Sequence, residues 1–496
     1  MRFKLFLLLV ASIAIVASTS FAQDVTFSQS DRSIQYPAQT VSQGDLNRDG
    51  YPDFLFGLSD SLNIHTLMSS SGNYVNWSIP TSYCPSYPIA FGDFQRNGRN
   101  DLLVSSNEGT SCSGPHSNTF ADYLNDGSGT FRLYKKFPVS FFSAQAAVTA
   151  DFNNDKKLDA VILDSNLLEL YYGNGYGSFS GPYKIASLSG YSGSFAGDFY
   201  NLIAGDFDGN GCPDVAWTEF ESYGESSYQS QLRVAYGDCH GNFSVKTIYN
   251  IIGEIDNIQT ADLDRDSVSD IVATVDAAGT GVTNPMLQIS YGQKNRTFTT
   301  KTISDPSLVG PIQVGDFNGD GYPDIAYASD LSSGEVVKVL DGDASQSFTG
   351  ISIQYLTGAG DNTVIQMLSG DYNRDGKTDL ALLVNQYRSG PGDFTILSNT
   401  SSYPHGTCVP PATPGIHQCS PGPTSGTSVH ILAAASNPNP TVYMELWVDG
   451  VKRVGYGSTN ELNTTLTLTP GTHRLAFFSS DAAGIKNALY SSVTIN

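Results

Sequence analysis

The chain has 496 residues, of which 48 are acidic and 26 basic, and its formal net charge is −22. A chain this acidic is repelled by nucleic acid and by anionic membrane surfaces, so neither is expected as a partner. The length is enough for more than one domain. The six cysteines, an even number, favour an oxidising compartment in which disulfides form.

Residues 1–22 are predicted to be an export signal. Arg2 and Lys4 give a positive start, residues 5–16 are apolar and uncharged, and residues 20–22 form a small-x-small cleavage site. The alternative is an anchor helix, but the apolar run is shorter than the roughly 20 residues that a membrane span needs. We therefore predict a secreted protein, extracellular or periplasmic, without a membrane span.

One ten-residue acidic pattern recurs seven times along the chain. The copies read GDLNRDGYPD, GDFQRNGRND, ADFNNDKKLD, GDFDGNGCPD, ADLDRDSVSD, GDFNGDGYPD and GDYNRDGKTD, with first aspartates at 45, 93, 151, 206, 262, 316 and 371. The copies follow one another at intervals of 48–58 residues, and short apolar and β-branched runs flank each one. Such runs, bounded by Gly, Asn and Asp, are typical of strands joined by turns. Four strands per interval make one propeller blade, so an all-β fold with a seven-bladed β-propeller over residues 23–400 is predicted.

The segment before the first copy is predicted to complete the last blade. The seventh copy is followed by two strand-like runs, 380–386 and 394–399, and then by a Pro-rich segment. Its blade therefore lacks a fourth strand. Segment 25–36 contains Phe27, which matches the aromatic residue that opens other fourth strands. Pairing this segment with the seventh blade closes the ring and removes an exposed sheet edge.

Each copy carries oxygen-bearing side chains in one register. Counting the first aspartate as position 1, these side chains stand at positions 1, 3, 5 and 9. Position 7 can offer a backbone carbonyl, and Gly at position 6 permits a sharp turn. Ca²⁺ takes six to eight oxygen ligands. Ordinary Asp-Gly and Asn-Gly turns do not explain this register, and an EF-hand loop needs Glu at position 12, where all copies have an apolar residue.

The copies resemble the FG-GAP/VCBS repeat family, the propeller repeat also found at the head of integrin α chains, over roughly residues 25–400. The resemblance implies structural Ca²⁺ held by positions 1, 3, 5, 7 and 9 of the loop between the first two strands of a blade. The implied ligands are Asp45, Asn47, Asp49, Tyr51 and Asp53; Asp151, Asn153, Asp155, Lys157 and Asp159; Asp206, Asp208, Asn210, Cys212 and Asp214; Asp262, Asp264, Asp266, Val268 and Asp270; Asp316, Asn318, Asp320, Tyr322 and Asp324; Asp371, Asn373, Asp375, Lys377 and Asp379.

Three copies depart from this pattern. Lys156 and Ser267 stand where Gly is expected, which puts the turn of the third copy in particular doubt. The second copy, from Asp93 to Asp101, has Gln95 at position 3 and only two carboxylates. It is therefore expected to bind calcium weakly or not at all.

The C-terminal part changes character at residue 401. Residues 401–426 contain six prolines and are predicted to be a semi-rigid spacer. Residues 427–496 alternate apolar and polar positions between turn signals, as in a small β-sandwich, and they resemble bacterial Ig-like modules. Among the fifteen connectivities that six cysteines allow, pairing of sequence neighbours is preferred: Cys84 with Cys112, Cys212 with Cys239, and Cys408 with Cys419. Zinc held by the last pair with His405 and His417 is the alternative.

No catalytic constellation is visible. The seven histidines share no position in the repeat, and neither a G-x-S-x-G nor an H-E-x-x-H motif is present. A binding role towards an extracellular glycan or a surface protein is therefore predicted, because 27 Tyr and 26 Phe offer aromatic contacts. The alternatives are a polysaccharide-active enzyme, a lyase or hydrolase, and a purely structural envelope or matrix component.

Overall fold

The structure is a computed structural model that describes residues 25–495 with short gaps. The gaps are 35–37, 39, 50, 58–62, 71–72, 81–85, 107–118, 141–143, 165–166, 189–200, 223–227, 277–284, 332–333, 344, 357–361, 387–392, 404–407, 409, 412–413, 421–427, 438–440, 458–459 and 482–485. The predicted export signal, Cys84 and Cys112 lie outside the described residues. In the described part the regular structure is all β, and no helix there is long and apolar enough to cross a membrane.

Strand β1 (Phe27–Ser33) is followed by six antiparallel four-stranded sheets, each formed by consecutive strands. Sheets one to three contain β2 (Thr40–Gly44), β3 (Asp53–Gly57), β4 (Asn63–Ser70) and β5 (Asn73–Pro80); β6 (Ser86–Gly92), β7 (Asp101–Ser106), β8 (Thr119–Asn125) and β9 (Phe131–Pro138); β10 (Ala144–Ala150), β11 (Asp159–Asp164), β12 (Leu167–Gly173) and β13 (Phe179–Ser187).

Sheets four to six contain β14 (Leu202–Gly205), β15 (Asp214–Ser222), β16 (Tyr228–Gly237) and β17 (Phe243–Ile252); β18 (Glu254–Ala261), β19 (Asp270–Asp276), β20 (Met286–Gln293) and β21 (Thr297–Ser304); β22 (Leu308–Gly315), β23 (Asp324–Leu331), β24 (Gly334–Leu340) and β25 (Ile351–Tyr355). Sheet seven contains β26 (Asn362–Gly370), β27 (Asp379–Gln386), β28 (Asp393–Asn399) and, as its fourth strand, β1.

The pairing of β1 with β28 confirms the predicted closure. The two strands are antiparallel, with Phe27 opposite Asn399. Phe179 and Phe243, which open the fourth strands of sheets three and four, lie opposite Gly173 and Gly237 at the corresponding register. The N-terminal segment thus covers the edge of the last sheet, which otherwise exposes unpaired backbone groups.

The hydrophobic core lies between neighbouring sheets and follows the chain in a closed cycle. The first strand of each sheet contacts the first strand of the next, and β26 of sheet seven contacts β2 of sheet one. Each junction has its own buried cluster; the one that joins sheets seven and one packs Phe54 and Phe56 against Phe394 and Ile396. Burying such side chains contributes about 1.5–3 kcal/mol each.

The C-terminal strands form two further sheets. Their strands are β29 (Gly415–Ser420), β30 (Ser428–Ser436), β31 (Thr441–Val448), β32 (Val451–Gly457), β33 (Glu461–Thr467), β34 (Gly471–Asp481) and β35 (Lys486–Ile495). The orders are β29-β30-β33 and β32-β31-β34-β35, and one buried cluster fills the space between them. Residues 415–420, predicted to be spacer, pair with β30 and belong to this unit. Residues 415–495 are called the C-terminal module below.

Candidate metal centres

Each of the seven acidic copies forms the connection between the first and second strands of its sheet. The copies are called loops one to seven below, spanning 45–53, 93–101, 151–159, 206–214, 262–270, 316–324 and 371–379. The apolar side chain at position 2 of every loop is buried. Phe317, for example, packs in the cluster between sheets six and seven. Each loop is therefore held by the core that joins two sheets.

The aspartate at position 9 joins its loop to the sheet. In all seven loops it is fully buried, and one of its oxygens accepts a backbone N–H at 2.5–2.9 Å. The donor lies in the third strand in six loops, and in loop six it is Gly342, just after β24. In six loops the second oxygen accepts the N–H of position 2 at 2.7–3.1 Å. Sequence reasoning treated this residue only as a metal ligand and missed its structural role.

The side-chain oxygens at positions 1, 3 and 5 accept hydrogen bonds from backbone N–H groups of their own loop. In loops two, three, four, five and seven the position-1 carboxylate accepts the N–H groups of positions 5 and 6 at 2.7–3.0 Å. In loop seven, Asn373 and Asp375 accept from positions 5 and 7 at 2.8 and 3.0 Å. An ionised carboxylate has about four lone-pair sites, so these bonds leave oxygen capacity for a cation.

The carboxylates converge most closely in loops four and five. In each, oxygens of positions 1, 3 and 9 lie within 4.8 Å of one another: Asp206, Asp208 and Asp214, and likewise Asp262, Asp264 and Asp270. Only these two loops have Asp rather than Asn or Gln at position 3. The described carboxylates of the other five loops form no such triad. In those loops the side-chain oxygen at position 3 belongs to an amide.

Burial and neighbouring carboxylates raise the pKa of the aspartate at position 9. Burial raises the pKa of Asp53, Asp101, Asp159 and Asp379 to about 7. For Asp214 and Asp270 burial, reinforced by the adjacent position-3 carboxylate, raises the pKa to about 8 and about 9. The metal-free loops thus hold carboxylates that burial and mutual repulsion keep from ionising easily, a charge arrangement that a divalent cation relieves.

Loop four already has a cation of its own. Nε of Arg296 lies 2.7 Å from Oδ2 of Asp208, and its guanidinium stacks over Tyr236 at 4.9 Å. The same carboxylate belongs to the converging triad of loop four. A guanidinium at this place offsets part of the negative charge that attracts a metal ion, so loop five is the stronger candidate of the two.

Two positions of every described loop turn are left-handed. Position 4 has φ between 55° and 75° in all seven loops, and position 6 has φ between 66° and 87° in the six loops where it is described. Sequence reasoning identified position 6 but missed position 4, where Arg48, Arg96, Arg265 and Arg374 occur. The turn doubted at Lys156 forms all the same, with φ 66°.

Replacing Lys156 with Gly is expected to raise the free energy of unfolding by about 1 kcal/mol, because a left-handed backbone strains any residue with a Cβ. The Lys156 side chain is exposed, so little packing is lost. Urea unfolding of the purified protein measures the change. The matched control is Lys157→Gly at the next position, whose φ is not left-handed; it is expected to destabilise. Equal effects of the two substitutions would contradict the strain argument.

A further buried carboxylate stands beside loop two. Asp122 on β8 is fully buried, and neither of its oxygens has a hydrogen-bond partner. Burial, with Asp101 nearby, raises its pKa to about 9. At the corresponding register sheets three and four have Leu170 and Val234. Sequence reasoning missed Asp122 because it lies in a strand, outside the loop pattern.

Replacing Asp122 with Val is expected to stabilise the protein by about 1–3 kcal/mol at pH 7, because an unpartnered buried polar group is removed. The midpoint of urea unfolding measures this. Asp122→Asn serves as control, since it keeps the shape and the buried polarity and is expected to gain less. Destabilisation by the Val substitution would indicate that the carboxylate has a partner that it needs.

Two of the three preferred cysteine pairs are present as disulfides, Cys212–Cys239 and Cys408–Cys419. His417 lies beside the second pair. Because the two sulfurs are bonded to each other, they are not thiolate ligands, and the zinc alternative loses its donors.

Comparisons with known proteins bear on the repeats and on the fold. Residues 151–217 and 316–382 match a family model described as "FG-GAP-like repeat". No curated protein matches the chain.

Three solved structures are similar at low identity. An Agrocybe aegerita lectin that recognises non-reducing terminal N-acetylglucosamine has 15% identity and TM-score 0.41, covering 64% of this chain and 80% of its own. The Dos1 propeller has 11% identity and TM-score 0.38, covering 70% and 75%. An exo-β-1,3-galactanase from Phanerochaete chrysosporium has 10% identity and TM-score 0.31, covering 94% of each chain.

The two family matches begin at position 1 of loops three and six and each spans two successive loops. The chain therefore carries FG-GAP-like repeats in these two stretches.

Proposed function

We propose that this chain is a secreted calcium-binding protein, a seven-bladed β-propeller followed by an Ig-like β-sandwich, that displays a binding surface to an extracellular glycan or surface protein. The observation that carries the calcium assignment is the convergence of Asp262, Asp264 and Asp270 within 4.8 Å in loop five. The same register of oxygen atoms recurs in the other loops.

Calcium fits these loops better than other common metals. The donors are carboxylate, amide and carbonyl oxygens, which suit hard cations, and the described loops offer no thiolate or imidazole at the ligand positions. Mg²⁺ demands near-octahedral geometry, whereas Ca²⁺ tolerates an irregular set of ligands. Six sites are proposed, in loops one and three to seven, with loop two weak or empty because only Asp93 and Asp101 supply charge there.

The proposed ions act on stability. Extracellular calcium modules have Kd values of about 10⁻⁴–10⁻³ M, so each site contributes roughly 0.4–1.4 kcal/mol at millimolar calcium. Six sites then contribute about 2–8 kcal/mol, comparable with the whole stability of a typical domain.

The proposed architecture and compartment have separate support. The cycle of seven sheets closed by β1 supports seven blades, and two packed sheets with one core support an Ig-like module. The two disulfides support an oxidising, extracytoplasmic location.

Exposed aromatic side chains support a binding role. Trp77, Tyr134, Tyr183 and Tyr355 are exposed on the fourth strands of sheets one, two, three and six, and Tyr176 is exposed in the turn before β13. Most described Phe side chains are in the core instead. Aromatic residues on a rigid surface are common anchors of protein and sugar contacts.

Calorimetric titration of the demetallated full-length protein tests the calcium assignment. Several calcium-binding events and little response to magnesium are expected. Absence of calcium binding would contradict the calcium assignment.

A glycan array run with and without calcium tests the binding role. Calcium-dependent retention of a glycan without turnover supports that role. Release of a cleaved product would assign an enzyme instead.

A further inference from the structure

The C-terminal module lies against loops five and six. Nδ2 of Asn463 on β33 donates to the carbonyl of Gly319 in loop six at 3.2 Å, and this contact is buried. The hydroxyl of Ser267 in loop five donates to the carbonyl of Gly455 on β32 at 2.8 Å. Nη1 of Arg265 lies 3.4 Å from the carbonyl of Asn463. Both loops therefore touch the module through the residues of their left-handed turns.

Tyr403, in the segment before the C-terminal module, contacts loops six and seven. Oη of Tyr403 donates to the carbonyl of Asp316 at 2.9 Å and accepts the N–H of Thr378 at 3.1 Å, which bridges loops six and seven. The ring of Tyr403 lies so close to Gly319 that a Cβ there would be 2.1 Å from its Cγ. Gly321 is confined likewise, since a Cβ would meet Arg265 and Asn463 at 2.7 and 2.9 Å.

These contacts explain why Ser267 replaces Gly at position 6 of loop five. A Ser at φ 70° is strained relative to Gly, so the backbone alone favours Gly there. The hydroxyl bond to the module offsets that cost. Lys156, the exception at position 6 of loop three, is exposed, and among the described residues no hydrogen bond or ion pair joins its side chain to the module.

Arg265 of loop five also contacts loop six. The Arg265 guanidinium stacks over Tyr322 of loop six at 4.0 Å. A cleft of about 590 Å³ lies between loops five and six and the module.

We propose that calcium binding in loops five and six is coupled to the docking of the C-terminal module, so that each strengthens the other. The coupling rests on the proposed calcium sites. A bound ion fixes loops five and six, whose Gly319 carbonyl and Ser267 side-chain hydroxyl form the interface. By reciprocity, docking holds the loops in the shape that the ion needs.

Small-angle X-ray scattering of the full-length protein tests whether calcium strengthens the docking of the C-terminal module. The radius of gyration is expected to rise when a chelator removes calcium, because the module is released, while far-UV circular dichroism stays unchanged.

A matched pair of substitutions tests whether docking of the module strengthens calcium binding. Ser267→Gly and Lys156→Gly change the same position to Gly, in a loop that contacts the module and in one that does not. Calcium is titrated into the demetallated chain while scattering follows compaction. Ser267→Gly is expected to raise the midpoint concentration about fivefold or more, the size of a modest coupling, although it relaxes the turn. Lys156→Gly is expected to leave the midpoint unchanged.

The outcomes separate this coupling from the calcium assignment itself. If calorimetry shows calcium binding but scattering is identical with and without calcium, the coupling is wrong and the calcium sites stand. An equal shift of the midpoint by both Gly substitutions also overturns the coupling. Absence of calcium binding overturns both proposals.

Discussion

Chelation of calcium is expected to lower the melting temperature of the full-length protein by roughly 2–10 °C, the shift that a loss of about 2–8 kcal/mol produces when the unfolding entropy is about 2.1 cal/mol/K per residue. Without the ion, the buried carboxylates of each loop face one another, and in loop four Arg296 offsets only part of their charge. Differential scanning calorimetry in millimolar calcium and in chelator measures the shift. Coincident curves would remove the stabilising role assigned to the metal.

The shift is expected to depend on pH in a defined direction. Burial raises the pKa of the position-9 aspartates Asp53 and Asp159 to about 7 and of Asp270 to about 9. In the metal-free protein the folded state then binds more protons than the unfolded state between about pH 4 and these values, so metal-free stability falls as pH rises. Calcium requires the ionised form. Its stabilising effect should therefore grow from pH 5 to pH 8.

Substitutions in loop five provide the control for both measurements. Asp264→Asn gives loop five the Asn found at position 3 of loops six and seven, and a small loss of calcium affinity is expected. Asp270→Asn is expected to destabilise even in chelator, because its oxygens also accept the N–H groups of Leu263 and Gly292 at 2.8 Å. Equal behaviour of the two variants in chelator would contradict the double role of position 9.

Removal of residues 25–34 is expected to destabilise the protein by at least about 3–6 kcal/mol and to promote aggregation. Val25 and Ile34 are buried, and burying each such side chain contributes about 1.5–3 kcal/mol. The N–H of Val25 also donates to Oγ of Ser352 in sheet six at 2.8 Å. The deletion exposes the edge of β28, which becomes available to pair with another chain. Urea unfolding and size-exclusion chromatography measure the two effects.

A milder variant keeps this prediction testable if the deletion does not fold. Ile34→Ala is expected to cost about 2–5 kcal/mol because it leaves a cavity in the core between sheets seven and one. Ser30→Ala, at an exposed position of β1, is expected to change stability by less than about 0.5 kcal/mol. Similar effects of both substitutions would mean that the N-terminal segment does not stabilise the fold through its buried side chains.

The repeat made much of the fold predictable. Strands β3, β7 and β11 begin at Asp53, Asp101 and Asp159, the position-9 residues of their loops, because the loop pattern ends where the apolar run of a strand starts. The missing fourth strand after the seventh copy pointed to closure by Phe27 and its neighbours, which the pairing with β28 confirms. These inferences needed only local order and the rule that sheet edges are covered.

Other features depended on residues far apart in the chain. The role of position 9 requires the third strand, whose N–H it accepts, and that partner lies at a different separation in different copies: Asp53 bonds Ser69 and Asp101 bonds Asn125. Asp122 lies outside the loop pattern. Its burial without a hydrogen-bond partner depends on tertiary packing, which the sequence does not display.

The sequence by itself determined the periodic acidic loops, the strands that flank them and the closure of the last sheet, because each depends on short-range pattern and on the count of strands. Only the tertiary structure decided that loops five and six face Asn463 and Gly455 of the C-terminal module. These two contacts join residues 144 and 188 positions apart in the chain. It depends on side-chain shape and charge at one interface, and no local periodicity encodes it.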